Sequence, residues 1–263
     1  LHYPLRRQRQ MCIRDRLNSF PSGWNKIATV LPTPAVCSFS HEAGSEQYGY
    51  YLITGENGAG ESEPSEMVFR IIRNFNFTEG GKNTYRIGLP YSHGFTNALS
   101  LAADIEGNTY TAEKIDMLAL WNPYSQAFLP FSFKDGAWAT GTNFSIDAGT
   151  LSSNAIYVHA IAAFNWLIAG KDTAEGLFFK YNNSKANANK RMIPYSNAYL
   201  KASDIVKDIE GGLGEGRNTK INRLSLWNPV TQAYVSYRYG EDLVPPQWGL
   251  GTDFEIIPGQ AIN

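Results

Sequence analysis

Apolar residues along this chain follow two spacings. Ala98, Leu101, Ala102 and Ile105 sit at i, i+3, i+4 and i+7, which lines one face of a helix. The spacing returns with different side chains at Ala202, Ile205, Val206 and Ile209, so both stretches predict short amphipathic helices. Elsewhere the pattern is that of strands. Residues 115–121, 126–133, 144–146, 155–160 and 164–168 are short, apolar and rich in β-branched or aromatic side chains. Between the first two, Asn122-Pro123-Tyr124-Ser125 suits a type I turn, because Asn bonds its own backbone and Pro presets φ. Nearer the start, Tyr51, Ile53, Gly55 and Asn57 share one face of an expected strand. Asn57-Gly58-Ala59-Gly60 then turns the chain toward a return strand over 61–69. The expected fold class is mostly β with short helices.

These elements occur twice. Leu89-Pro90-Tyr91-Ser92 recurs as Ile193-Pro194-Tyr195-Ser196, and Asp104-Ile105-Glu106-Gly107 as Asp208-Ile209-Glu210-Gly211. Leu120-Trp121-Asn122-Pro123 recurs as Leu226-Trp227-Asn228-Pro229, each followed by Gln-Ala at Gln126-Ala127 and Gln232-Ala233. Trp138 and Gly141-Thr142-Asn143-Phe144 answer to Trp248 and Gly251-Thr252-Asp253-Phe254. The offset grows from 104 to 110 residues, as small loop insertions would make it. Solenoid and propeller repeats are about 20–50 residues long, so each copy here reads as a whole domain. The second copy is expected to be truncated, since the counterparts of 157–170 would begin where the chain ends.

Composition changes the picture in one place. Aromatics make up 13 % of the 263 residues, in keeping with strands. The formal charge of −1 depends heavily on Arg6 to Arg16, RRQRQMCIRDR. That string resembles the in-frame translation of a library-preparation sequencing adapter, so residues 1–16 are read as a non-native tail with no packed role. Setting them aside removes five Arg and one Asp and leaves 18 basic against 23 acidic residues. A mildly acidic chain without clustered Lys and Arg does not point to nucleic acid. No apolar run is long enough for a membrane-spanning helix, so membrane insertion is not expected. Cys37 then stands alone, which excludes an internal disulfide.

The stretch YGYYLITGENGAGESEPS from Tyr48 to Ser65 resembles the closing strands of a fibronectin type III domain. The tandem Trp-Asn-Pro copies resemble an uncharacterised module found beside such domains in bacterial secreted and surface proteins. The resemblance implies a partial fibronectin-type β-sandwich over 17–73, a β-rich α+β module over 74–171 and a second, truncated module over 172–263. It implies an extracellular or cell-surface setting and supplies no chemistry.

No constellation carries chemistry with any specificity. His41, His93 and His159 are not at metal-ligand spacing, and His159 reads as a satisfied core histidine. No nucleophile elbow surrounds a Ser, and Cys37 has no motif around it. Gly211-Gly212-Leu213-Gly214-Glu215-Gly216 lacks the Lys-Ser/Thr and helix of a phosphate loop and reads as a flexible connector. Asp104 with Glu106, and Asp208 with Glu210, resemble paired glycosidase carboxylates only by recurrence. They read as solvated charges at helix ends. No catalytic, cofactor or metal residue is assigned. Trp121, Trp227, Trp138 and Trp248 remain as sugar-stacking candidates if exposed and as core if buried. The expected function is therefore a non-catalytic structural, spacer or adhesion role. The alternatives are a carbohydrate-binding module, or an accessory region of an extracellular enzyme whose catalytic domain lies elsewhere. Expected partners are neighbouring domains of the parent chain, with polysaccharide or another surface protein outside it.

Overall fold

The computed structural model describes residues 8–14, 25–30, 48–57, 59–66, 68–89, 93–123, 125–146, 155–171, 192–194, 199–257 and 259–263. The first five strands are β1 (Gln8–Arg14), β2 (Asn25–Val30), β3 (Tyr48–Asn57), β4 (Gly60–Glu61) and β5 (Val68–Phe75). Next come β6 (Thr84–Gly88), α1 (Ala98–Ile105), β7 (Ile115–Asn122), β8 (Ala127–Lys134), β9 (Ala137–Gly141), β10 (Ala155–Ala160) and β11 (Phe164–Lys171). The last group is β12 (Ile193–Pro194), α2 (Ala202–Glu210), β13 (Arg223–Asn228), β14 (Ala233–Gly240), β15 (Gln247–Gly251) and β16 (Ala261–Ile262). The fold is mostly β with short helices, as the spacings predict.

The strands form three antiparallel sheets, ordered β11-β5-β3-β1-β2 with β4 beside β3, β6-β10-β7-β8-β9, and β12-β16-β13-β14-β15. The second and third match element for element. In each, the helix closes one face and buries the predicted stripe, Ala98, Leu101, Ala102 and Ile105 in one and Ala202, Ile205 and Val206 in the other, with Ile209 half-buried. The hydrogen bonds also correspond. Ala98 N donates to Phe144 O and Ala202 N to Phe254 O, while Ile146 N donates to Thr96 O and Ile256 N to Leu200 O. From the same segment Asn143 Oδ1 caps Leu99 N at 2.9 Å and Asp253 Oδ1 caps Ser203 N at 2.8 Å. These distant side chains satisfy helix donors that no residue within the helix can reach. Residues 144–146, expected as a strand, instead make one bridge, Asn97 to Ser145. Phe144 O and Ile146 N bond to the helix start, while Phe144 N donates to Thr142 O.

Gly141 and Gly251 hold the same place in both sheets, at φ +95° and +91°. A Cβ would lie 2.2 Å from Pro130 O at the first and 2.3 Å from Ser236 O at the second. Only glycine fits so close an approach of two backbones.

Three further placements differ from expectation. The string read as an outside tail supplies β1, which pairs with β3 from Gln8 opposite Glu56 to Arg14 opposite Tyr50, and with β2 on its other side. Ladder bonds are made by the backbone, so an open strand edge accepts any extended segment whatever its origin. Strand β11 leaves the sheet of β6–β10 and pairs with β5, Phe164 opposite Phe75 through Lys171 opposite Val68. Phe75, Trp166 and Ile168 thereby join the core under α1. The return after Asn57 is also interrupted. Pro64 stands in it, and the hydroxyls of Ser62 and Ser65 accept from Gly55 N and Ile53 N where a regular strand would offer carbonyls.

Candidate functional site at the junction of the two modules

Strand β6 alternates. Tyr85 and Ile87 enter the core beneath α1, while Thr84 and Arg86 point away from it. Its far edge is open within its own sheet, and the second module closes it. Thr84 N and Oγ1 donate to Gln232 Oε1 at 2.9 and 2.7 Å, and Gln232 Nε2 donates back to Thr84 O at 3.2 Å. One side-chain amide thus does what a neighbouring strand residue would do. Trp227 Nε1 donates to the same carbonyl at 2.7 Å. Further along, Gly88 N donates to Gly259 O at 2.7 Å and Ile87 bridges Gln260. The contact is returned from the first module, where Trp121 packs with Ala155 against Met192 and Ala261. Each Trp-Asn-Pro turn therefore reaches across to the other copy.

Local chemistry aims these side chains. Asn122 Oδ1 accepts from Ser125 N at 3.2 Å, and Asn228 Oδ1 from Thr231 N at 3.1 Å. Each turn ends on a glutamine in the left-handed region, φ +54° at Gln126 and +50° at Gln232. Trp121 meets Phe128 edge-on at 5.0 Å and Trp227 meets Tyr234 edge-on at 5.0 Å. The Arg86 guanidinium lies 4.4 Å from the ring centre of Tyr157, 4.8 Å from Trp227 and 5.2 Å from Phe128. Such cation–π contacts are worth about 0.5–2 kcal/mol each, most when desolvated.

The four tryptophans named from sequence divide into two kinds. Trp121 and Trp227 are half-buried at the junction. Trp138 and Trp248 are 7 % and 4 % exposed. Their ring N–H groups donate to Thr111 O and Arg217 O, and Phe131 and Tyr237 stack on them at 5.7 and 5.6 Å. Neither of these two rings offers a free face. Tyr91, Tyr195, Cys37 and His41 lie outside the described residues.

The carboxylates at the helix ends are not all solvated. Glu106 and Glu210 are 7 % and 5 % exposed. Glu106 accepts from the backbone N–H of Glu113, Lys114 and Ile115 at 2.8–3.2 Å. Glu210 accepts from Thr219, Lys220 and Ile221 at 2.6–3.1 Å and also from Thr219 Oγ1. Each clamps a helix end to the entry of the next strand. Burial pushes the Glu210 carboxyl up, but the N–H donors and the Thr219 hydroxyl outweigh it and hold it below the usual value. Fixed donors around an anion favour the charged form. Asp104 accepts from Trp166 Nε1 at 2.7 Å and Asp208 from Tyr199 Oη at 2.5 Å. All four carboxylates are therefore engaged in structure.

His159 is satisfied but not in the core. Strand alternation buries Val158 and turns His159 outward, where Nδ1 lies 2.5 Å from Asp116 Oδ1. The glycine loop after α2 is tied down: Gly211 caps the helix at φ +75°, Gly216 N donates to Tyr239 Oη and Leu213 O accepts from Trp248 N. Among the described residues no three His, Cys, Asp or Glu side chains group as metal ligands would. No described helix is long and apolar enough to cross a membrane.

Sequence reading missed Thr84, Arg86 and Arg73, and noted Gln126 and Gln232 without a role. The available signal was Arg73 itself, standing between Ile71 and Phe75 at an inward-facing strand position. Comparison of the chain with protein-family models, curated proteins and solved structures returned no match.

Proposed function

We propose that this chain is a non-catalytic structural segment, of spacer or adhesion type, in a larger secreted or cell-surface protein. The observation that carries the reading is where the recurring aromatic residues go. Trp138 and Trp248 fill the two module cores, while Trp121 and Trp227 face across the junction between modules. Chemistry repeated in both copies is spent on folding each module and on fixing one module against the next. A spacer needs that, because modules joined only by a flexible linker sample a wide range of separations.

The test is a pulsed spin-label distance between exposed Asp135 and Asp242, each replaced by labelled Cys, with Cys12 and Cys37 changed to Ser. The expected distribution is narrow, and W227A/Q232A broadens it. A broad distribution in the parent protein would sink the spacer reading. A polysaccharide panel addresses the rival: binding that is lost on substitution of Trp121 or Trp227 would make the segment a carbohydrate-binding module.

A further inference from the structure

The junction encloses a cleft of about 120 Å³ between β5, β6 and β13, and two arginines enter it. Arg73 lies on the face of β5 that carries buried Ile71 and Phe75, across from Gly259. A Cβ at Gly259 would come within 2.4 Å of Ile71 Cδ1 and 3.4 Å of Arg73 Nε and Nη2, so the bare glycine backbone packs closely over Ile71 and that edge of the guanidinium. Part of the Arg73 side chain remains exposed, yet Nε and Nη2 are shut off from solvent and have no hydrogen-bond partner. Arg86 Nε, in the same cleft, is in the same condition. Among the described residues that line the cleft none is acidic.

Buried polar groups are nearly always hydrogen-bonded, and a buried charge without a partner is among the most costly features a fold can contain. The cost is visible in Arg73, whose guanidinium burial pulls down to about 10. The unpartnered atoms also have a definite geometry. Nε and Nη2 are the two parallel donors of one guanidinium edge, the fork that matches two oxygens of a single anion. Arg86 is held beside it by three aromatic rings, so its own position needs no anionic partner.

We propose that this cleft is a binding site for a small oxyanion, a carboxylate, sulfate or phosphate group, taken bidentately by Arg73 once its guanidinium turns the Nε–Nη2 edge from Gly259 into the cleft, and contacted by Arg86. The size admits a group of a few heavy atoms. A larger acid enters only by its charged end. The site draws on β5, β6 and the second module together, so occupancy couples anion binding to the docked arrangement of the modules. It goes beyond the spacer reading and does not depend on it.

The experiment uses the full chain in chloride buffer, with sulfate, phosphate, acetate or glucuronate added at matched ionic strength, read by calorimetric titration and melting temperature. At least one of the four should bind saturably and raise the melting temperature above the chloride control. R73M should weaken that binding at least about tenfold, the equivalent of one charged hydrogen bond. It should melt in chloride no lower than the parent, because an apolar side chain of similar length relieves the unpaired charge. R73K keeps the charge but loses the fork, and it should also bind at least about tenfold more weakly. Tighter glucuronate than acetate assigns the cleft to the carboxylate of a sugar acid, and tighter sulfate or phosphate assigns it to an inorganic anion; either upholds the site. The proposal is overturned if all four anions behave as chloride does in the parent protein. It is equally overturned if R73K binds as the parent does.

Discussion

Replacing Glu106 or Glu210 by Ala removes the acceptor from three consecutive backbone N–H groups. The two sites differ in where those donors lie. Ile115 is fully buried, so its N–H is left in the core without water, whereas Ile221 is half-exposed. A buried donor left unmade costs about 1–3 kcal/mol, and a hydrogen bond to a charged group contributes about 1.5–3 kcal/mol. Because water can reach Glu113 and Lys114, the terms do not add fully. E106A should cost about 3–4 kcal/mol and E210A about 2 kcal/mol. Urea unfolding followed by tryptophan fluorescence measures this, since Trp138 and Trp248 each bond to the loop that the neighbouring clamp secures. Hydrogen exchange at the Ile115 and Ile221 amides locates it. The Glu210 clamp should also respond to acid. Its folded-state carboxyl titrates below the ordinary 4.5, so the stability it supplies is complete above that pH and is lost as pH falls through the folded value. E210Q should lose that acid dependence. Costs below about 0.5 kcal/mol for both Ala variants, the range of an ordinary surface change, would show that these carboxylates are solvated after all. A larger loss in E210A than in E106A would refute the claim that burial of the Ile115 N–H sets the difference between the two clamps.

G141A and G251A should each destabilise by about 2–4 kcal/mol, combining positive φ with a backbone clash, and thermal melts would show it. W227F removes the bond to Thr84 O while keeping a ring near Arg86. It should cost about 1 kcal/mol and raise hydrogen exchange at Thr84–Gly88, whereas unchanged exchange there would separate Trp227 from the junction. Deleting residues 1–14 should raise exchange in Tyr50–Glu56, the stretch paired with β1; unaltered exchange would mean that this strand adds nothing to the sheet. Amides of β13 should exchange faster than those of β7, because β16 covers β13 only near Leu226 while β10 pairs β7 from Leu120 to Ile115. Equal protection would contradict that account.

What the sequence alone determines is whatever depends on residues close together in the chain. The helix faces at Ala98–Ile105 and Ala202–Ile209, the strand at Ala155–Ala160 and the Asn-Pro turns all follow from spacings of two to four residues, and the repeat shows in identity alone. Where partners lie far apart in sequence, only the tertiary structure decided. Periodicity marked Phe164–Ile168 as a strand but could not say that its ladder runs to β5, because backbone pairing is blind to sequence distance. Residues 144–146 had strand-like composition, yet the helix N-terminus took the hydrogen bonds of Phe144 O and Ile146 N. Glu106 and Glu210 stood at helix ends, where charges are usually solvated; the following loop folds its N–H groups back onto them, and that reverses the reading. Trp138 and Trp121 were indistinguishable as letters. The first lies under a helix and the second against another module, because burial is set by what packs opposite a side chain. The same is true of Arg73, whose inward position is legible in the alternation with Ile71 and Phe75 but whose buried, unpartnered fork shows only in the tertiary structure, where Gly259 of the second module packs against it.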